Sequence, residues 1–296
     1  MPRPKPQVSQ LHFYPIKSCA GVALESAEID ERGIKDDRSW LIVNKDDVFL
    51  TQRDLPKMCL IQTKIVPAPR IDPLPEHMDD EGGETSERAL LLSAPGMPAL
   101  LVPEITLGNE LSRRKVRVWR DECSAVDQGL GAEEWLSQFL ERDVRLMKIS
   151  RRDTRVVKPV NRETLSSQIA FQDGYPFLII SEESLQELNS RLDEPLPMNR
   201  FRPNIVIKNT TPFAEDNWKL IRIGRLQFQI DKPCARCVIT TIDQTSAVPG
   251  REPLKSLAKF RMVDQHVMFG QNAVHLSSGS INLADEVDIL EEKGKA

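Results

Sequence analysis

Two cysteines three residues apart, Cys234 and Cys237 in KPCARCVITTID (residues 232–243), are the side chains best suited to chemistry in this chain. A thiolate can serve as nucleophile, redox centre or soft metal ligand, and adjacent cations favour it over the thiol. Lys232 and Arg236 flank this pair, and Pro233 and the small Ala235 allow a ligand to approach closely. A structural zinc site usually needs two more ligands, commonly a second Cys pair or a His pair. No second Cys pair exists, and His266 and His275 are nine residues apart, outside the usual spacing. A thioredoxin-like dithiol sits where a strand meets a helix N-terminus, whereas VITTI, which follows here, has strand chemistry. Two inert core thiols and a single working thiolate both stay open.

Other short clusters bear on that choice. PIKSC carries Lys17 and Ser18, DDRSW carries Arg38, LTQRD carries Gln52 and Arg53, and NRFRPN carries Arg200, Arg202 and Asn204. Guanidinium forks and hydroxyls suit a phosphate, and amides suit a heterocycle such as a pterin. Each cluster alone reads as solvated surface. Together, beside a candidate thiolate, they suggest an anionic, metal-bearing cofactor. Competing motifs are missing: there is no GxxxxGK, HExxH, GxSxG or EF-hand loop. GLGAEEW at 129–135 begins as a dinucleotide turn would, but Glu134 stands where the third glycine belongs. His12, beside Phe13 on an expected strand, reads as a structural histidine; it and Asp243 are proton-handling candidates by reactivity alone.

The elements that must position these residues are mostly short strands. LHFYPI, VALESAEID, RSWLIVN, MCLIQTKIV and KVRVW precede residue 120; NIVI, WKLIRIG, LQFQI, CVITTID, NAVHL and EVDIL follow residue 200. Helices are expected in three places. GAEEWLSQFLER gathers Trp135, Leu136, Phe139 and Leu140 on one face. SEESLQELNSRL has Ser181 as its N-cap, Leu185, Leu188 and Leu192 as its stripe and Arg191 in its last turn. REPLKSLAKF starts near Pro253 with Leu254, Leu257 and Phe260 inward. Residues 67–88, proline-rich and acidic, read as a mobile surface loop. Many short strands with few helices favour barrels over a doubly wound sheet, and a boundary is expected between 128 and 150.

Composition narrows the function classes. A chain of 296 residues accommodates one large domain or two ordinary ones. With net charge −4 and 5% aromatic residues, it lacks both the basic footprint and the stacking platforms of a nucleic-acid binder. Five cysteines, three of them widely separated, form no disulfide framework. With no signal peptide in MPRPKPQVSQ, a reducing, cytoplasmic compartment is expected. The most apolar run, ALLLSAPGMPALLV, is broken by Pro95 and Pro98, so no membrane span is expected.

YPIKSCAG, DDRSWLIVN, RFRPNIVI, PFAEDNW and CARCVITTID stand in an order that resembles MOSC-domain proteins, most closely the amidoxime reducing components and their bacterial relatives. The resemblance covers roughly residues 10–292. It implies an α+β, β-rich fold, with an N-terminal MOSC β-barrel domain over 8–128 and a MOSC β-barrel domain with a few short helices over 150–292. It also implies a molybdenum cofactor, a pterin dithiolene with a terminal phosphate, ligated by Cys237 as the catalytic metal ligand. Lys17, Ser18, Arg38, Arg202, Asn204 and Arg236 fall on the cofactor-contacting positions. Ala235 stands where close relatives often have serine, so one hydroxyl contact is lost. The implied activity is reduction of amidoximes, hydroxylamines and N-hydroxylated bases to the amine or amidine, with electrons from a separate flavin- or haem-bearing protein. A Cys237 persulfide carrier for cofactor sulfuration, or a non-catalytic cofactor-binding module, is the alternative. The mitochondrial address and anchor of eukaryotic relatives are not expected here. Nor is a C-terminal iron–sulfur domain, since Cys237 is the last cysteine.

Overall fold

A computed structural model describes residues 4–68, 84–107, 112–150, 153–158 and 167–294. Its largest element is a nine-stranded sheet, eight strands of which run in the order Val22–Leu24, Gln7–Phe13, Ile205–Lys208, Phe177–Ser181, His266–His275, Leu226–Ala235, Trp218–Ile223, Val287–Glu292. The ninth, Met262–Val263, pairs with the start of His266–His275. All pairings are antiparallel except Phe177–Ser181 against Ile205–Lys208. Backbone bonds Val8 N to Asp285 O (2.9 Å) and Val287 N to Pro6 O (2.8 Å) join the first strand to the approach of the last, closing the sheet into a barrel. Closure removes the exposed edges an open sheet would leave. Phe177, Phe228, Ile205, Ile207, Ile221 and Ile230 fill its interior.

The rest of the first half builds on two smaller sheets. Four strands run Trp40–Asn44, Val144–Ile149, Asp121–Asp127, Arg113–Val118. Three run Gln62–Pro67, Glu84–Ser93, Leu100–Leu107. Between them, α1 (Leu130–Leu140) buries Ala132, Trp135, Leu136 and Leu140 in a core shared with Trp40, Ile42, Leu90 and Leu92. The first strand, Gln7–Phe13, therefore belongs to the large barrel, and Val144–Ile149 is hydrogen-bonded between Trp40–Asn44 and Asp121–Asp127. No helix among the described residues is long and apolar enough to cross a membrane.

The expected helices form. α2 (Glu182–Asn189) is capped by Ser181, whose Oγ accepts from Ser184 N, and packs Leu188 with Leu185 and Leu192 into one cluster. It stops before Arg191, which reaches back to Glu187 instead of lying in the last turn. α3 (Leu254–Leu257) begins after Pro253 and buries Leu257.

Three other expectations are corrected. Residues 84–88, assigned to a loop, begin the strand Glu84–Ser93, and Pro67 ends the strand Gln62–Pro67; 69–83 lie outside the described residues. Met58 to Leu60 belong to a 3-10 turn, Pro56–Leu60, because Pro56 presets the first dihedral of a tight turn. VITTI is not a strand: Val238–Thr241 is a 3-10 helix with Cys237 at its N-cap position. Thr240 and Thr241 turn their hydroxyls back on the Cys237 and Val238 carbonyls (2.9 and 2.8 Å). That local bonding replaces the cross-strand partners their β-branched shape would otherwise favour.

Candidate functional site

Lys17, Ser18, Arg38, Arg202, Asn204, Arg236 and Cys237, drawn from four separate stretches, line one cleft. The long strand Leu226–Ala235 delivers Cys234 to its wall, and the turn after it presents Arg236 and Cys237. The loop after Gln7–Phe13 brings Lys17 and Ser18, fixed by the bond from Lys17 N to Trp40 O (2.9 Å). The turn before Ile205–Lys208 brings Arg202 and Asn204.

Tyr14 organises the arginines. Its buried ring lies 4.2 Å from the guanidinium carbons of both Arg38 and Arg202, and its hydroxyl donates to Pro203 O at 3.0 Å. Gly21 is glycine for this reason: a Cβ there would collide with the Tyr14 ring. Burial pushes the Tyr14 phenol up to about 12, with the Arg202 and Arg38 charges acting the other way. Arg38 Nη1 donates to the buried Asp37 (2.6 Å) and to Asn204 Oδ1 (3.1 Å), and Asn204 Oδ1 also accepts from Leu178 N (3.2 Å). Asn204 is thus a brace for the arginines and the backbone.

Satisfaction is incomplete at the cleft itself. Arg202 Nη1 donates to Cys19 O at 2.6 Å, yet its buried Nη2 has no partner. Arg236 gives Nη1 to Cys234 Sγ (3.1 Å) and Nη2 to Phe201 O (2.7 Å), and its buried Nε has none. Burial pulls the Arg202 guanidinium below its usual value, and Arg38 adds to that shift. Lys17, 5% exposed, is likewise lowered by burial although Asp173 acts to raise it. Its ammonium bonds Phe171 O (2.7 Å) and Asp173 Oδ1 (2.6 Å). Five cations (Lys17, Arg38, Arg53, Arg202, Arg236) and one carboxylate, Asp173, line the cleft.

Ser18, Arg38 and Arg202 take φ of 67°, 49° and 55°, a left-handed region that side chains other than glycine seldom occupy. Each costs on the order of 1 kcal/mol that surrounding structure must offset.

Arg53 Nη2 donates to Cys237 Sγ at 3.1 Å, so each sulfur of the pair carries its own guanidinium: Arg53 on Cys237, Arg236 on Cys234. Elsewhere in the chain, burial raises Cys59 and Cys123 to about 11 and Cys19 further. Among the described residues, no three His, Cys, Asp or Glu gather to hold a metal, so the pair has no zinc-clip partners.

Some flagged residues do other work. Gln52 supports the site from behind, donating to Ser18 O at 2.8 Å. Arg200 pairs with Asp243 (2.9 Å), whose other oxygen is taken by Thr245 and Ser246. His12 bonds Gln10, and burial lowers its pKa. Neither Asp243 nor His12 lines the cleft. Lys232 lies over the Tyr175 ring, outside it. Arg53 and Asp173 are the additions to the predicted set. Arg53 stood in a flagged basic cluster, whereas nothing local to Asp173 pointed to it.

Comparison with known proteins agrees along the chain. Residues 5–143 match the MOSC N-terminal beta barrel domain and residues 166–288 the MOSC domain. The chain is 33% identical over 301 residues to mitochondrial amidoxime-reducing component 1 of Mus musculus, covering 96% of this chain and 82% of that protein. The same protein of Homo sapiens gives 33% over 299 residues, with 96% and 82% covered. Among solved structures, the YUAD protein from Bacillus subtilis aligns with 97% of this chain and 96% of its own at 9% identity and a TM-score of 0.41.

Proposed function

We propose, from the premise that this chain belongs to the family joining a MOSC N-terminal β-barrel domain to a MOSC domain, that its cleft binds a molybdenum cofactor and reduces N-hydroxylated compounds. The observation that carries this reading is the pair of buried guanidinium nitrogens, Arg202 Nη2 and Arg236 Nε, left without partners in a cleft lined by five cations and one acid. Buried donors in native proteins are nearly always bonded, so an anion with several acceptor oxygens fits here. The donor set suits a metal that arrives with ligands of its own, since among the described residues Cys234 and Cys237 gather no third metal-binding group.

When bound, the cofactor would supply an acceptor for the oxygen atom and, from its reduced form, two electrons, so that R–NHOH, two electrons and two protons give R–NH2 and water. The chain's own residues bind and orient. Arg38, Arg202 and Arg236 hold the anionic groups, braced on Tyr14 and Asn204. Lys17 and Ser18 complete the polar lining, with Lys17 fixed by Asp173. Cys237 Sγ is the metal ligand, and Arg53 sets a positive charge against that sulfur. Ala235 offers no hydroxyl, which leaves its backbone N–H as the available donor.

The test is metal and pterin analysis of freshly purified protein, followed by turnover of benzamidoxime with reduced viologen. Stoichiometric molybdenum with viologen-driven turnover, and no steady NADH-dependent turnover without a flavin or haem donor, is expected. Protein carrying persulfide sulfur and no molybdenum would overturn this reading in favour of sulfur transfer.

A further inference from the structure

Trp119 adjoins the cleft through Asp173 and Arg53, and it is the one tryptophan of four that meets solvent, 46% exposed against 1%, 6% and 3% for Trp40, Trp135 and Trp218. A half-exposed indole is ordinarily free to turn. This one is pinned on every side. Phe49 packs edge-on at 4.9 Å, Arg53 lies 5.0 Å from the ring, and Nε1 donates to Asp173 Oδ1 at 2.8 Å. Its backbone takes φ of 58°, a conformation that a bulky residue rarely adopts.

Two of the pinning groups, Arg53 and Asp173, belong to the cleft. Asp173 Oδ1 also receives Lys17, and Arg53 also donates to Cys237 Sγ. One guanidinium therefore separates the indole from the proposed metal ligand. Beside Trp119 opens a second groove, where Trp119, Val156, Ile169 and Tyr175 alternate with charged side chains, Arg120, Asp121, Arg155, Lys158 and Lys232, and which shares Asp173, Gly174 and Tyr175 with the first. An aromatic face held in place, with cations around it and reacting groups one side chain ahead, is a stacking platform. Stacking selects for planar rings of many kinds, because every such ring offers a π-face.

We propose that the groove at Trp119 is a substrate subsite that takes a planar aromatic or heteroaromatic ring bearing the N-hydroxyl group, which projects past Arg53 toward Cys237. This rests on the reductase reading for the fate of the N–OH group, while the stacking itself requires no cofactor.

Cofactor-free protein tests it without turnover, with benzamidoxime as the ring-bearing probe and acetamidoxime as its alkyl counterpart. Benzamidoxime should quench tryptophan fluorescence saturably and shield the exposed indole from acrylamide. Acetamidoxime should do neither at the same concentration. By calorimetry, Trp119→Ala should weaken benzamidoxime binding about tenfold. Trp119→Phe, which keeps a stacking face and a similar volume, should stay within about threefold while losing the optical signal. In the loaded enzyme, the ratio of kcat/KM for benzamidoxime to that for acetamidoxime should fall in Trp119→Ala and hold in Trp119→Phe. Equal affinity of wild type and Trp119→Ala for benzamidoxime, or equal binding of the two probes by wild type, overturns the subsite. Cofactor-loaded protein that binds benzamidoxime through Trp119 without reducing it keeps the subsite and sinks the reductase reading.

Discussion

Glu215 and Arg202 are both buried charges, and the chain treats them in opposite ways. Glu215, 1% exposed, receives Ser181 N (3.1 Å), Ser181 Oγ (2.9 Å) and Ser184 Oγ (2.7 Å), and Ser184 Oγ in turn accepts from Phe213 N (2.8 Å). Burial pushes its carboxyl up while the Ser184 bond pulls it down. Arg202 has one carbonyl, a ring shared with another guanidinium, and a buried nitrogen with nothing. A polar cluster completed by its own chain fastens structure, here the Phe213 turn to the start of α2. One left incomplete is arranged for something from outside. If that contrast is right, damage to the two clusters separates cleanly into lost stability and lost function.

The hardest test is at the thiols. Cys237→Ser should abolish N-hydroxyl reduction and leave a folded protein, because a serine hydroxyl, protonated at neutral pH, does not replace a soft thiolate. Cys234→Ser should keep its activity and lose little stability, because Arg236 Nη1 stands ready to donate to the new hydroxyl. Turnover and molybdenum content, measured side by side with chemical denaturation, decide between the two. An inactive Cys234→Ser beside an active Cys237→Ser would assign the metal to the other sulfur. Loss of activity in both would restore the dithiol.

Next come the arginines. Arg202→Ala and Arg38→Ala should each weaken cofactor retention roughly 10- to 150-fold, since charge-assisted hydrogen bonds contribute about 1.5–3 kcal/mol apiece. Thermal melts should show little change for Arg202→Ala, whose removal relieves a crowded cation and an unpartnered donor. Full molybdenum occupancy under limiting cofactor in both variants would break the comparison on its functional side.

Much of this contrast was legible in the sequence, and its limits follow physical lines. The clusters PIKSC, DDRSW, RFRPN and CARC announced the cleft because basic and amide side chains bunch beside turns, where backbone can be held for a ligand. Strand patterning announced the barrels, since alternation survives in any half-buried strand. VITTI was misread because its β-branched residues suit strands, while Cys237 and the two threonine hydroxyls close a 3-10 turn locally. Asp173 and Trp119 were invisible for another reason. Each matters only through partners far along the chain, Lys17 and Arg53, and no local spacing encodes such a meeting.

On the structural side of the comparison, Ser184→Ala removes one donor from Glu215 and the acceptor of Phe213 N. It should cost about 1–3 kcal/mol of unfolding free energy. Cofactor content per folded molecule should stay at the wild-type level. A variant as stable as wild type but poor in molybdenum would invert the assignment of the two clusters.

The smallest expected effect concerns Tyr14, the ring on which the arginines rest. Its phenol titrates near 12 when folded and near 10 when unfolded, with burial the main cause. The raised value makes the folded state hold a proton that the unfolded state has lost. This contribution to stability is therefore intact below about pH 10 and disappears as pH rises toward 12. By pH 11, halfway through the window, it should have fallen by about 1.4 kcal/mol. Only two tyrosines exist, so Tyr175→Phe leaves Tyr14 as the sole phenol and its ultraviolet titration readable. Full tyrosinate absorbance at pH 11 in folded Tyr175→Phe would show a phenol open to solvent. The arginines would then rest on a mobile ring, and the cleft would lose the rigidity that distinguishes an unfilled site from an unfinished one.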